Sequence, residues 1–359
     1  MLERLPRYRT GDDDLDHLLV ELLKEAGATA NLDQLFEILV TAVRLAQAEV
    51  DVEVDRLDLK ITNAALKELR KAFMVFAPYR HVPKATMFGS ARTLADDPLY
   101  AQARDLAAQL AGAGWMVVTG AGPGIMAAGM EGAGRDMSFG INIRLPFEQG
   151  ANEFIAGDPK LVEMKYFFTR KVMLLKESSG FVILPGGFGT LDEALELLTL
   201  MQTGKADPAP IVLLEVPGGT YWKAWERFLT DEVVARGLVS PEDQSLYLVT
   251  DDVREATGEI LGFYANYHSR RFVGDQLVLR LRSAPTAEEI AALADEFADI
   301  VLGDTIAASP PLPAEVADGD HLDLPRIALR FDRMSHGRLR QLIDRLNRLP
   351  RATPAGPSA

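Results

Sequence analysis

The strongest constraint on the fold is an alternation of short apolar runs with longer amphipathic segments between Ala85 and Tyr267. The short runs read as buried strands, and the longer segments carry apolar residues at helical spacing. Alternating strands and helices are typical of an α/β fold with a doubly wound parallel sheet. We predict strands near residues 85–88, 115–119, 138–143, 180–184, 211–215 and 246–249, and helices near 98–113, 125–134, 165–178, 190–203, 222–236 and 253–267.

The sequence on either side of this alternation has a different pattern. Residues 12–76 read as three helices, the first opened by three aspartates. Beyond residue 274, alternating leucines around Arg280 read as a half-buried strand and are followed by two helical segments. We therefore predict a helical N-terminal extension at 1–80, a Rossmann-like nucleotide-binding domain at 81–273, a small α+β domain at 274–349 and a disordered tail at 350–359.

Composition narrows the functional classes. The 359 residues include no cysteine, which excludes disulfides, thiolate metal sites and a cysteine nucleophile. A formal net charge of −14 argues against bulk nucleic-acid binding, and the five scattered histidines suggest no metal site. No apolar run reaches the ~18 residues of a membrane span. The N-terminus lacks an apolar signal core, so we expect a cytoplasmic protein with no membrane partner.

Charge is segregated near the C-terminus. Residues 283–325 contain no lysine or arginine, whereas residues 326–351 hold eight arginines and two aspartates. The basic segment could contact an anionic regulator or a nucleic acid. The simpler interpretation, which we favour, is internal neutralisation against the acidic helix or a solvated face.

The most informative motif is the glycine-rich segment between a predicted strand and helix, Leu184 to Glu193. A turn of this kind directs free backbone N–H groups at an anion, at the positive end of the helix dipole. Phosphate sites usually add lysine or arginine, but this loop ends in Asp192 and Glu193. The combination predicts a loop that holds phosphate at one end and acts on a sugar at the other.

Two further glycine turns follow the first two predicted strands. The first contains Gly89 and Ser90, and the second runs from Gly120 through Gly122 and Gly124. The second turn matches neither the Walker pattern nor a full dinucleotide fingerprint, and it could be only a tight strand-to-helix connection. Together with the third loop, the two turns favour a phosphorylated, nucleotide-like ligand.

Local structure offers simpler explanations for the charged residues. Thr190 and Glu193 have the spacing of a capping box, in which both side chains would satisfy backbone N–H groups. Arg170 and Lys171 stand together on an apolar helix, where they could bind phosphate or merely extend to solvent at the helix edge. Spacing alone leaves these alternatives open.

The Arg170-Lys171 pair followed by Pro185-Gly186-Gly187-Phe188-Gly189-Thr190-Leu191-Asp192-Glu193 resembles the paired motifs of the LONELY GUY (LOG) family. Its members are cytokinin-activating phosphoribohydrolases and bacterial relatives that cleave nucleotides. The first two glycine turns also resemble the family's loops, so the resemblance spans about residues 80–270. Here Phe167-Phe168-Thr169 replaces a usual Met-His-Glu, and Ala121 and Ala127 replace a common Gly and Glu.

The resemblance implies hydrolysis of the N-glycosidic bond of a nucleoside 5′-monophosphate without metal or other cofactor. It implies Arg170 and Glu193 as catalytic residues, with Lys171 and Thr199 as secondary contacts. Backbone from Gly186 to Thr190 would hold the 5′-phosphate. The implied substrate-binding residues are Gly89, Ser90, Gly122, Gly124, Lys171, Gly186, Gly187, Phe188, Gly189, Thr190 and Thr199.

The resemblance also implies a homodimer or higher homo-oligomer. The alternative function is a non-catalytic carrier or sensor of a phosphorylated ligand such as molybdenum cofactor. The presence of both Arg170 and Glu193 favours the enzyme, because a carrier needs the phosphate loop but not the acid. No lysine is marked as a Schiff base for pyridoxal phosphate, so a decarboxylase is not expected.

Overall fold

The structure, a computed structural model, describes residues 6–46, 54–145, 150–303 and 305–350. Of the tail predicted to be disordered, only Pro350 lies within these ranges; the rest lies outside the described residues. The chain divides into two compact units, residues 1–67 and 68–359, and each is described by itself. The four predicted domains stay a prediction.

The first unit is helical. It contains α1 (Asp13–Glu25), α2 (Leu32–Ala46) and the start of α3 (Arg56–Phe76). Asp12 begins α1, because its carboxylate accepts hydrogen bonds from the backbone N–H groups of Asp14 and Leu15 at 2.9 and 3.1 Å. Leu23, Phe36 and Val40 form its small apolar core. The three predicted helices are confirmed.

The second unit contains a seven-stranded, all-parallel sheet in the order β4-β3-β2-β1-β5-β6-β7. From β1 the chain winds outward to β4, then returns to β5 beside β1 and winds outward again to β7. The predicted doubly wound architecture is therefore confirmed. The strands are β1 (Lys84–Phe88), β2 (Met116–Thr119), β3 (Ser138–Ile143), β4 (Leu161–Met164), β5 (Gly180–Ile183), β6 (Ile211–Leu214) and β7 (Leu248–Thr250).

Helices cover both faces of this sheet. One face packs on α4 (Pro98–Gly112), α5 (Ile125–Ala133) and α9 (Val253–Gly262). The other packs on the end of α3, α6 (Phe167–Lys176), α7 (Phe188–Gln202) and α8 (Tyr221–Phe228). A π-helical turn, Leu229–Val234, continues α8.

A second, antiparallel sheet follows in the order β10-β11-β9-β8. Helix α9 ends at Gly262, so the prediction of a helix to residue 267 is wrong there, and Tyr267 begins the first strand of the new sheet. Its strands are β8 (Tyr267–Val273), β9 (Gln276–Leu281), β10 (Ala307–Ala308) and β11 (Arg326–Leu329). Its helices are α10 (Ala287–Glu296), α11 (Pro313–Asp318) and α12 (His336–Asn347).

Arginines of the basic C-terminal segment pair with nearby acids. Arg338 contacts Asp299 at 2.9 Å, and Arg326 contacts Glu315 at 2.7 Å. Arg280, on the strand predicted to be half-buried, is itself buried, and its Nε donates to Glu315 at 2.9 Å. These pairs support internal neutralisation. None of the described helices is both long enough and apolar enough to cross a bilayer.

Candidate active site

A cleft opens at the carboxyl ends of β1 and β5, where the direction of winding reverses. Ligands of open α/β sheets bind at such switch points. The backbone N–H of Ser90, after β1, donates to the carbonyl of Pro185, after β5, at 3.2 Å. The cleft has a volume of about 870 Å³, and all three predicted glycine turns contribute to its wall.

The turn after β5 forms one end of the cleft. Gly187 precedes α7, which begins at Phe188, and no side chain caps this end of the helix. Gly187, Phe188 and Gly189 are exposed, and a Cβ added at either glycine would meet no atom within 4 Å. Because the first N–H groups of a helix lack partners within it, they can bind an anion here.

The capping-box interpretation of this turn is wrong. Thr190 is the third residue of α7 and not the residue before it, so Glu193 lies beyond the first turn. Thr190 instead packs beneath the loop: a Cβ at Gly186 would lie 2.2 Å from its Oγ1. Gly186 is therefore required for a close approach within the turn.

Glu193 and Arg170 meet on the wall of this cleft. Arg170 Nη1 lies 3.4 Å from Glu193 Oε1, and the two side chains are only 10% and 15% exposed. Burial raises the pKa of Glu193 to about 7, with Arg170 opposing the rise and Asp192 adding to it. A carboxyl group that titrates near neutral pH can stabilise a cation and exchange a proton with water.

Arg170 is held from two directions. Its Nε donates to the carbonyl of Ile141, in β3, at 2.9 Å. On its other side lies the turn after β2: a Cβ at Gly120 would stand 1.9 Å from Arg170 Nη2. Gly120 thus leaves the space that the guanidinium occupies, a role that its place in the sequence did not reveal.

The turns after β1 and β2 pack directly on each other. Gly124 adopts φ +65°, and a Cβ there would lie 2.3 Å from the carbonyl oxygen of Ser90. Gly89 has no room for a side chain either, because its Cβ would lie 2.6 Å from Ile125. Gly89, Ser90 and Gly122 line the cleft, whereas Gly124 does not and acts in the packing of the two turns.

Ala121 adopts a left-handed conformation, with φ 59°. Only glycine takes this conformation without steric cost, which gives a physical reason for a glycine preference at this position. Asn152 supports the turn from outside. Its backbone N–H donates to the Ala121 carbonyl at 2.8 Å, and its side-chain amide donates to the Gly122 carbonyl at 2.9 Å.

Two predicted contacts lie outside the cleft. Lys171 follows Arg170 on α6, about 100° further around the helix, where its Nζ contacts Glu196 at 2.8 Å and Asp192 at 3.1 Å. Thr199 lies almost two turns beyond Glu193 on α7 and borders a separate apolar cavity, and its hydroxyl donates to the Leu195 carbonyl. Within one chain, neither side chain reaches the cleft wall.

The cleft also contains residues that the sequence analysis missed. The hydroxyl of Tyr221 donates to the Gly186 carbonyl at 2.8 Å, which ties the start of α8 to the phosphate loop. Glu215 positions this end of α8, because its carboxylate accepts from the backbone N–H groups of Tyr221 and Trp222. Arg92, Met126 and Asn142 also line the wall. None of the described lining residues is a lysine.

Comparison with known proteins identifies the family of this chain. The family described as "Possible lysine decarboxylase" matches residues 123–260. A cytokinin riboside 5′-monophosphate phosphoribohydrolase of Mycobacterium tuberculosis is 31% identical over 172 residues, covering 45% of this chain and 87% of that protein.

The chain belongs to the LOG family. A LOG protein of Arabidopsis thaliana, a cytokinin riboside 5′-monophosphate phosphoribohydrolase, is 37% identical over 101 residues, 28% of this chain and 45% of its own length. A similarly named rice protein is 35% identical, with 46% of its length covered. The chain thus spans less than half of these two plant LOG proteins.

Among solved structures, the molybdenum cofactor carrier protein of Chlamydomonas reinhardtii is similar. It is 22% identical, with a TM-score of 0.35, and the similarity covers 50% of this chain and 95% of that one. The LOG family assignment rests on the sequence relatives and not on this likeness.

Proposed function

We propose that this protein hydrolyses the N-glycosidic bond of nucleoside 5′-monophosphates, releasing the free base and ribose 5-phosphate. The named activity of its relatives supports the reaction class. The observation that carries the proposal is the nearly buried Glu193 carboxyl, with a pKa of about 7, beside Arg170 and next to a helix terminus able to bind phosphate.

In this proposal the 5′-phosphate lies against the backbone N–H groups of Gly187–Thr190. That anchorage directs the ribose along the first turns of α7 toward Glu193. Arg170 contributes a cation near both the phosphate and the acid. Tyr221 keeps the loop in place through Gly186.

The chemical step separates charge at the anomeric carbon. The bond from C1′ to the base nitrogen breaks with its electron pair moving to the base, and the ribose becomes oxocarbenium-like. The Glu193 carboxylate stabilises that cation and accepts a proton from the attacking water, whose oxygen bonds to C1′. The departing base takes up a proton from solvent.

A panel of AMP, GMP, CMP and UMP tests the proposal directly. We expect free base and ribose 5-phosphate from at least one nucleotide. Glu193→Gln and Arg170→Ala should each reduce kcat/KM by about 10²–10⁴-fold. Full hydrolysis by both variants would exclude the assigned roles.

The alternative, a carrier of a phosphorylated ligand such as molybdenum cofactor, predicts another result in the same panel. A carrier would bind without turnover, and Glu193→Gln would bind at least as tightly as the natural chain. Lysine decarboxylation is not proposed, because the described cleft wall has no lysine that could form a Schiff base.

We also propose a homodimer. Phe167, Phe168 and Val172 on α6, and Leu195 on α7, are each about half exposed, and Phe167 also lines the cleft. Exposed large apolar side chains are common at protein–protein interfaces. Light scattering after gel filtration should give twice the chain mass of 39.3 kDa, and a monomer at micromolar concentration would contradict the proposal. The cytoplasmic location stays a prediction.

A further inference from the structure

A second large cavity lies at the opposite end of the central parallel strands, where these strands begin. Its wall includes Lys84 at the start of β1, Trp115 just before β2 and Ser179 just before β5. The catalytic cleft lies at the other ends of these strands, roughly 15 Å away along a five-residue strand. The cavity has a volume of about 1000 Å³ and shares no lining residue with the catalytic cleft.

Positive charge dominates the described wall of this cavity. It carries four lysine or arginine side chains and two histidines, and its single carboxylate, Glu177, is already paired with Lys176 at 2.7 Å. The whole chain has a net charge of −14, so the charge of the cavity wall is opposite in sign to the net charge of the protein. The cationic and histidine residues are Arg80, His81, Lys84, Lys176, His268 and Arg282.

Some of these groups have structural partners. The Nζ of Lys84 donates to the carbonyls of Tyr79 and Val82 at 2.7 and 2.9 Å, which fixes the turn before β1. Lys176 lies at the last turn of α6, where a cation is favourable for the helix dipole. These two lysines stabilise the local structure and also contribute positive electrostatic potential to the cavity.

Arg80 and Arg282 differ from them. Both side chains are exposed, and among the described residues neither lies within 4 Å of a carboxylate. Arg282 uses only its Nε, which donates to the Tyr264 carbonyl at 2.9 Å, so its two terminal nitrogens remain available. Elsewhere in the C-terminal region, arginines such as Arg338 and Arg340 are paired with acids.

We propose that this cavity is a second binding site for a small phosphorylated anion carrying two or more negative charges. Guanidinium groups bind phosphate oxygens in paired geometry. Ser178 and Ser179 add hydroxyl groups to the wall. The cavity is open to solvent, and its volume of about 1000 Å³ is large enough for a compact polyphosphate. The site is independent of the hydrolysis proposed for the catalytic cleft.

The test is calorimetric titration of the full chain with sodium tripolyphosphate at low salt. The catalytic cleft can also take the probe, so the natural chain is expected to show two binding events or one composite event. Arg80→Gln/Arg282→Gln should remove one event, or weaken it by about tenfold or more, the value of one charge-assisted contact. Its nucleotide hydrolysis should equal that of the natural chain.

Arg227→Gln is the matched control, since Arg227 is exposed on α8 and lines neither cavity. It should bind like the natural chain. If the double variant folds poorly by circular dichroism, Arg80→Gln alone decides the question. Equal binding by the variant and the natural chain, or no binding up to millimolar probe, would overturn the proposal. Tighter binding of a single-stranded oligonucleotide through the same arginines would overturn the assignment to a small ligand.

Discussion

The pKa of Glu193 is raised by burial more than it is lowered by the neighbouring Arg170. Its pKa rises to about 7 even though Arg170 lies 3.4 Å away. Arg170 is shared with the Ile141 carbonyl, and the carboxyl side has Asp192 and Glu196 nearby. The folded protein therefore holds this acid in a state that costs stability once it ionises, as active sites commonly do.

The raised pKa has a consequence for stability that can be measured. Because the folded pKa exceeds the unfolded value of 4.5, the stabilising effect of the protonated group is complete below pH 4.5 and is lost as pH rises through 7. Relative to the natural chain, Glu193→Gln should therefore gain about 2–3 kcal/mol in free energy of unfolding between pH 4.5 and 8.5. Urea unfolding at both pH values measures this difference, with the exposed Glu288→Gln as a control. A difference that stays constant with pH would contradict the prediction.

The same group should shape catalysis. If Glu193 acts as a carboxylate, kcat/KM should rise with pH through about 7 as the group ionises. Measuring kcat/KM for the best nucleotide between pH 5 and 9 checks this. A flat profile would show that Glu193 does not act in its ionised form.

Gly120 tests how closely Arg170 must be held. A Cβ at this position would stand 1.9 Å from Arg170 Nη2 and 2.7 Å from the sulfur of Met126, so the guanidinium must move. We expect Gly120→Ala to reduce kcat/KM by about 10–100-fold, because misplacement of a catalytic group by about 1 Å has that effect. The variant should remain folded.

Gly258→Ala is the matched control for this substitution. Gly258 lies within α9, and a Cβ there would meet no atom within 4 Å. It should leave hydrolysis unchanged and add about 0.5–1 kcal/mol to the free energy of unfolding. Equal activity of the two alanine variants would show that Arg170 tolerates displacement.

At the scale of elements, α8 supports the phosphate loop through one hydrogen bond. Tyr221→Phe removes the donor to the Gly186 carbonyl while keeping the ring. One such bond contributes about 1 kcal/mol, so kcat/KM should fall by about fivefold. If the loop is positioned for phosphate, the loss should appear mainly in KM. Steady-state kinetics decides this, and an unchanged KM would mean that the loop is held without Tyr221.

Periodicity predicted most elements, and the failures have physical causes. The missed strand β4 has four residues and lies at the sheet edge, where Leu161 and Glu163 are only partly buried. The apolar run around Tyr264 and Tyr267 continues the pattern of α9, yet the chain turns there into β8. A local pattern does not reveal this change, because Tyr267 is buried by residues far along the chain.

The candidate site was predictable where its residues lie in one motif. The loop after β5 came from a contiguous glycine pattern, whereas the roles of Arg170 and Glu193 were implied by the resemblance to the LOG family. Tyr221 and Gly120 could not be found in this way, since their roles depend on atoms of Gly186 and Arg170, respectively. Thr199 lies on the motif's helix but almost two turns away, on the side of another cavity.

At the scale of the whole molecule, the C-terminal region packs against the end of α7 and the segment around Glu242. Residue 337 of α12 is a glycine because a Cβ there would lie 2.3 Å from the Glu242 carbonyl oxygen. His336 occupies the space beside Gly204, just after α7. Phe263 and Tyr267 are buried in the same apolar cluster as Leu339 and Leu342.

Removing residues 274–359 should therefore destabilise the chain. The truncation exposes this apolar cluster and leaves β8 without its neighbour β9. We expect the midpoint of thermal unfolding to fall by at least about 10 °C, or soluble protein to be lost. A chain ending at Pro350 is the control. If the truncated chain melted at the natural temperature, the region would be an independent module.

The strand order has a consequence for synthesis. The first strand of the sheet, β1, lies at its centre, and its second neighbour, β5, is made only after β2, β3 and β4. At 5–20 residues per second, the roughly 100 residues between Phe88 and Ile183 take about 5–20 s to translate. During that interval, the side of β1 that will pair with β5 has no partner strand, and its free backbone groups can pair with another strand instead. The same delay means that the cleft between β1 and β5 is incomplete until β5 is made, so a partly made chain lacks the proposed active site.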